Sequence, residues 1–366
     1  MSRKPHEPVY YGDYLQLNKL LDTQYPKSLE IENNEAHDET LFIIVHQVYE
    51  LWFKQIIHEL KSIVTMFSGK TVQEKDLTTV VARLERITKI QGLLVDQLGV
   101  METMTPMDFL EFRDLLVPAS GFQSVQFREI EVLMGLKTSN RKEVDREYFL
   151  GRLNEEDKKK IIEIESSASI LELAESWLER IPFTKNESFD FWSEYEKQIN
   201  LILDDDEKII HENQATLDSR GMAMQIENLN ATRETFASLL DDTRHNQLIE
   251  MGKRTLSREA TLNALFILLY RDEPILHLPY KFLTTLMDMD ELFTTWRYRH
   301  ALMAQRMLGT KIGTGGSSGH HYLKMAAENN RVYLDLFNLS TFLIPRSKLP
   351  SLPDDIKKNL GFHFNE

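Results

Sequence analysis

The chain has 366 residues, 42% of them hydrophobic and 10% aromatic, enough to bury the core of one large or two ordinary domains. Its 43 Lys and Arg are outnumbered by 57 Asp and Glu, giving a formal net charge of -14, which argues against a nucleic-acid backbone as partner. With no cysteine, disulfides, thiolate zinc, iron–sulfur clusters and covalently linked or thiolate-ligated haem are excluded together, so any metal must be held by His, Asp or Glu.

The N-terminal MSRKPHEPVYYGDY carries no apolar stretch of signal-peptide length, and no part of the chain approaches the ~20 apolar residues that cross a bilayer. A cytoplasmic protein is the expectation. In YYGDYLQL, Tyr11 and Tyr14 would share one helix face, where their plain role is to pack a short helix on the core. A long helix is predicted from Asp38 to Phe67, with acids in its first turn and Gly69 as its stop. Its apolar residues are dense enough for burial on most sides. A second helix fits Glu74 to Leu98, and a third Met107 to Leu116, ended by Pro118; helix resumes at Ser124.

From 140 to 245 the chain turns charge-rich, with EEDKKK and DDDEK runs that read as solvated helix faces. Dense apolar patterning returns from Leu256 to Tyr270 and from Tyr280 to Leu308. The glycine-rich GTKIGTGGSSG follows, then a last helix from His320 to Phe337 and an irregular tail after Pro345. The whole reads as one all-α domain, residues 1–366, a helical bundle with a peripheral charged helical region at 140–245.

Two histidines stand out because their helices are apolar. His300 has Phe293, Trp296, Met303 and Met307 on its face, and His46 has Phe42, Tyr49 and Phe53 on its own. A single histidine in such a place is commonly a core residue bonded to a neighbour. A buried pair could also bind zinc or non-haem iron, though no HExxH is present. His320 and His321 are adjacent, so on a helix they diverge. Arg113 lies among apolar residues and needs an anion, either a protein carboxylate or that of a substrate. GTGGSSG lacks the GK[ST] of a nucleotide-binding loop and follows a helix; it fits a nest, a lid or a connector.

Taken together, YYGDYLQL, HDETLFIIVHQVYELWFKQ, METMTPMDFLEFRDLLVPASGFQS, LMDMDELFTTWRYRHALMAQRMLGTKIGTGGSSG and FNLSTFLIPR resemble the tryptophan 2,3-dioxygenase family from end to end. The resemblance implies a bundle enclosing one noncovalent haem b per subunit, with Fe(II) in the active form and His300 as its axial ligand. It implies the addition of O2 across the indole C2–C3 bond of L-tryptophan to give N-formyl-L-kynurenine, the first step of the kynurenine pathway. His46 would accept a hydrogen bond from the indole N–H and Phe42 would stack on the ring. Arg113 would hold the substrate's carboxylate, although the residues alone favour a protein carboxylate as the partner. Thr314 would contact the amino-acid end, and Leu116 and Ser120 would line the pocket. Tyr11 and Tyr14 would reach a neighbouring subunit's site in a homotetramer, a dimer of dimers. Val45 occupies a position that varies within the family. The rivals are a non-catalytic haem or tryptophan sensor, a scaffold with structural histidines, and a dioxygenase of other indoles.

Overall fold

A computed structural model describes residues 7–69, 72, 74–137, 150–151, 153–186, 189–212, 218–309, 311 and 319–361. The helices in chain order are α1 (Tyr11–Leu15), α2 (Leu17–Leu20), α3 (Lys27–Glu32), α4 (His37–Phe67), α5 (Glu74–Met101), α6 (Pro106–Leu110) and α7 (Val125–Met134). The charged region supplies α8 (Glu155–Glu165), α9 (Ile170–Leu178), α10 (Phe191–Glu212), α11 (Ser219–Leu240) and α12 (Asp242–Glu250). Then come α13 (Arg258–Leu269), α14 (His277–Leu308), α15 (Gly319–Asn329), α16 (Leu334–Asn338) and α17 (Asp354–Leu360). The all-α reading holds; among the described residues the sheet is a two-residue antiparallel pair, β1 (Lys185–Asn186) with β2 (Phe189–Asp190).

Three long helices make the centre. α5 lies between α4 and α14 and packs on both. The buried residues of α4 (Val45, Tyr49, Phe53, Ile56, Ile57, Leu60, Ile63 and Phe67) recur at three- and four-residue steps, so they form one stripe. Where the stripe passes α5, side chains of α4 reach α14: Phe67 stacks on Phe282 at 5.2 Å, and Tyr49 meets Trp296 edge-on at 6.0 Å. Polar side chains lock the register of the three. The Tyr49 hydroxyl donates to Leu94 O at 2.8 Å, Gln97 Nε2 to Val45 O at 3.0 Å, Gln91 Nε2 to Met289 O at 3.0 Å and Arg299 to Val95 O at 2.9 Å.

α7 closes the other side with seven consecutive buried residues, Arg128 to Met134. Its Glu131 takes an ion pair from Arg297 of α14 at 2.8 Å and another from Arg128 at 3.0 Å. Charges this deep are tolerated only when paired and hydrogen-bonded. Arg297 also donates to Asn330 O at 2.9 Å, and Asp290, one further residue of α14, accepts from the Val332 and Tyr333 N–H groups at 3.2 Å each. The residues after α15 are thereby fastened to α14. Residues of α9, α10 and α11 belong to the same apolar cluster as α4, α5 and α14.

Three boundaries differ from the sequence reading. The helix expected over Met107–Leu116 is two pieces, because Phe112 (φ -126°, ψ -10°) leaves helical geometry and a four-residue 3-10 turn, Arg113–Leu116, follows α6. The helix expected to run from His320 to Phe337 stops at Asn329, where Asp290 draws the next N–H groups out of the helical ladder. α14 starts at His277, with Pro279 in its first turn, where a missing N–H costs nothing.

α7 ends at Gly135, whose φ of +138° disfavours any side chain; a Cβ there would stand 2.6 Å from Leu171 Cβ and 3.1 Å from Val332 Cγ1. Three segments meet over that missing side chain. Gly135→Ala is therefore expected to destabilise the protein by about 2–4 kcal/mol, from backbone strain and overpacking. A thermal or denaturant melt with an unshifted midpoint would show that the junction has slack.

Candidate active site

His46 sits two turns into α4. Its Nδ1 lies 2.7 Å from the carbonyl oxygen of Phe42. A carbonyl only accepts, so Nδ1 carries the proton and Nε2 is left as an acceptor. The residue is exposed, yet protein surrounds it closely enough that burial lowers its pKa below the ordinary 6.5. The Phe42 carbonyl and the Glu50 carboxylate, one turn on, pull the other way. The setting read from the sequence as dry is thus closely surrounded by protein yet open to solvent. Glu50 is itself pinned by Gln126 of α7 at 2.7 Å.

His300 projects from α14 toward the same space. Burial, and then the nearby His46, push its pKa from 6.5 to about 4. It is partly exposed, but its Nδ1 is sealed from solvent with no hydrogen-bond partner among the described residues. The indole of Trp296 lies against it, ring centroids 5.1 Å apart and planes 13° from parallel. Trp296 is wedged in turn between Tyr49 and Phe127, at 6.0 and 5.2 Å. The imidazole plane is therefore fixed by packing, and the ring is neutral with a lone pair to offer.

Such a ring suits a metal. A buried imidazole nitrogen without a partner costs about 1–3 kcal/mol, and a coordinate bond at the other nitrogen would offset it. No group of three or more His, Asp and Glu able to hold a bare ion occurs among the described residues. One neutral histidine in an apolar, aromatic setting would instead suit the iron of a haem.

The third wall is aromatic. Phe42 lies 4.1 Å from the His46 ring centroid, 5.7 Å from that of Phe109 and 5.6 Å from that of Phe112. α6 is placed by a capping box in which Thr105 and Asp108 bond reciprocally, with Pro106 at its first turn. Arg113 follows Phe112 directly; its side chain is 13% exposed, and its ion pair with Asp114, at 3.4 Å, is to a carboxylate 85% exposed. Solvent screens that pairing. Phe42, His46, Arg113 and His300 thus come from segments that meet. Phe112, fully buried, was missed because a phenylalanine next to an arginine carries no signal of its own.

The other predicted residues are placed as follows. Leu116 is half-buried against the core. Ser120 Oγ accepts from Phe122 N at 3.4 Å, and its own N–H donates to Gln123, so its hydroxyl serves as a local cap. Tyr11 and Tyr14 are more than 70% exposed, and α1 buries no residue. They do not pack an N-terminal helix on the core. Thr314 lies outside the described residues, as does most of GTGGSSG, and the side chains of His320 and His321 are not described. A separate groove of about 630 Å³ between α4 and α5 is lined by Val48, Leu51, Trp52, Gln55, Arg86, Lys89, Ile90 and Leu93; Val48, two residues from His46, faces the opposite side of α4.

The sequence matches the family model described as tryptophan 2,3-dioxygenase over residues 2–343. It is 50% identical over 361 residues to the tryptophan 2,3-dioxygenase of Alteromonas mediterranea, covering 99% of both chains. It is 47% identical over 359 residues to that of Bdellovibrio bacteriovorus, covering 98% of this chain and 99% of the other. With the Mus musculus protein of the same name it shares 44% over 362 residues, 98% of this chain and 88% of the other.

The two imidazoles bind protons less readily in the folded chain than in the unfolded one. Stability is therefore complete above pH 6.5 and is lost as the pH falls toward the folded-state values, about 4 for His300. In metal-free protein, urea unfolding at stepped pH is expected to show that decline, and His300→Leu to flatten it. An identical pH slope in the variant would contradict the assignment.

Proposed function

The chain belongs to the tryptophan 2,3-dioxygenase family, and on that premise we propose that its pocket adds both atoms of O2 across the indole C2–C3 bond of L-tryptophan, giving N-formyl-L-kynurenine. It is an oxidoreductase. The reading assigns it one haem b per subunit, ferrous when active, held by His300. The observation that carries it is the neighbouring pair of neutral imidazoles: His300 with its Nδ1 sealed, and His46 with Nε2 free to accept.

Haem iron, when bound, supplies the O2 chemistry that these side chains lack. The chain's own residues select and hold the substrate. His46 Nε2 accepts the indole N–H, which orients the ring without taking its proton. Phe42, backed by Phe109 and Phe112, gives the indole an apolar face to lie on and keeps water off it. Arg113 binds the carboxylate, and Thr314 the amino-acid end. An indole without a carboxylate forgoes the charge-assisted contact to a largely buried guanidinium, which is how an amino acid is preferred over other indoles. Leu116 and Ser120 border this space.

The reading includes a homotetramer in which Tyr11 and Tyr14 enter a neighbour's site. It is supported by the run of exposed apolar and aromatic residues Val9, Tyr10, Tyr11, Tyr14, Leu21, Tyr25 and Ile31, each at least 59% exposed. So large an apolar surface marks a contact with another molecule. A cytoplasmic site of action is part of the same proposal. Among the described residues no helix is long and apolar enough to cross a membrane.

Ferrous protein given O2 and L-tryptophan is expected to form the absorbance of N-formylkynurenine; a haem-loaded protein that binds tryptophan without turnover would instead be a sensor. Arg113→Ala is expected to raise KM for tryptophan about 100-fold, the worth of a charge-assisted pair, with an unchanged haem spectrum. Loss of haem with normal tryptophan binding would reverse the roles. His300→Ala is expected to lose the axial haem spectrum and nearly all activity, and an unaltered spectrum would refute the ligand assignment.

A further inference from the structure

Glu39, in the first turn of α4, is a carboxylate only 1% exposed, and among the described residues no cation lies within ion-pair range of it. Its charge is met by neutral donors of α3. Oε1 accepts from Lys27 N at 2.7 Å, and Oε2 from Ser28 N at 3.0 Å and Ser28 Oγ at 2.6 Å. The Ser28 hydroxyl, also buried, accepts in turn from Ala36 N at 2.9 Å. One side chain thus caps the first turn of α3, and one hydroxyl ties both ends of the excursion from residue 28 to 36 onto α4.

Burying a carboxylate against neutral groups is costly, and apolar packing would hold a six-residue helix against a neighbour more cheaply. Charge-assisted hydrogen bonds give what apolar packing does not, a short and directional contact. What they direct is visible from two sides. α3 lies against the 3-10 turn Arg113–Leu116. Glu39 shares its stripe of α4 with Phe42 and His46, three and seven residues on. A four-residue 3-10 turn does not hold its own orientation. The elements packed on it do so: α6 on one side and α3 on the other.

We propose that Ser28 and Glu39 are positioning residues for the substrate carboxylate. By bonding α3 to the helix that carries His46, they set the distance between the acceptor for the indole N–H and the guanidinium of Arg113. This inference rests on the roles given above to Arg113 and His46.

The test uses the haem-loaded enzyme with Ser28→Ala, which removes both hydroxyl bonds, and Glu39→Gln, which keeps the shape but puts an N–H₂ where an acceptor stood. Affinities for L-tryptophan and for tryptamine, which lacks the carboxylate, are read from the change in haem absorption; turnover gives KM and kcat. A sub-ångström shift of Arg113 is expected to weaken tryptophan binding and raise KM about tenfold. Tryptamine affinity, kcat and the resting haem spectrum should stay within about twofold, since only the carboxylate end is displaced. Equal weakening for both ligands, kcat falling in step with haem content, or failure of both variants to retain haem would each show the pair to be structural and overturn the inference. Arg113→Ala is run beside them. If it leaves the preference for tryptophan over tryptamine intact, the assignment of Arg113 is what fails; if it abolishes the preference and the other two variants do not, only the positioning role is lost.

Discussion

The wedge of α5 between α4 and α14 sets everything else at this site. Each flanking helix carries one imidazole, and neither can approach or withdraw without breaking the bonds that Tyr49, Gln91, Gln97 and Arg299 make to backbone carbonyls across the seams. Carbonyl acceptors fix both the separation of the helices and their sliding register. The Glu131–Arg297 pair adds the rotation of α14 about its axis. His46 and His300 are consequently held near each other by groups that touch neither ring. The low proton affinity of both follows from the same closeness, since burial removes the water that would stabilise an imidazolium.

Much of this is legible in the primary structure because a helix repeats itself. Phe42 and His46 are one turn apart, so their 4.1 Å contact follows from the helical period. Trp296 and His300 bear the same relation, and their stacking follows likewise. What periodicity cannot show is the use a residue is put to by a distant segment. Nothing in HDETLF distinguishes Glu39, which is buried and serves α3, from Asp38, which is only half-buried; both suit a helix N-terminus. Asp290 is equally mute: its pull on residues 332 and 333 ends a helix that the local pattern would continue. Arg113 sits in an apolar string that scans as helix, and the break at Phe112 is imposed by packing among Phe42, Phe109 and Phe112.

The N-terminal tyrosines make a different point. On the pattern alone an amphipathic helix belongs on its own core, yet Tyr11 and Tyr14 remain outside while Gln24 and Gln47 bond to each other at 2.6 Å and dock the following segment to α4. The chain is thus anchored just short of the point where its aromatic residues begin. Apolar residues displayed beyond an anchor are in keeping with the proposed assembly.

The bonds from Gln91 to Met289 and from Arg299 to Val95 join positions 198 and 204 residues apart in the chain. During synthesis the first imidazole leaves the ribosome with most of the polypeptide still unmade, and the second follows only after nearly all of α14 has been added. Until then α4 and α5 leave uncovered an apolar seam meant for a helix that does not yet exist. The seam that joins α4 and α5 to α14 is consequently completed late in synthesis, and the nascent chain is at its most vulnerable to aggregation through the long interval before it.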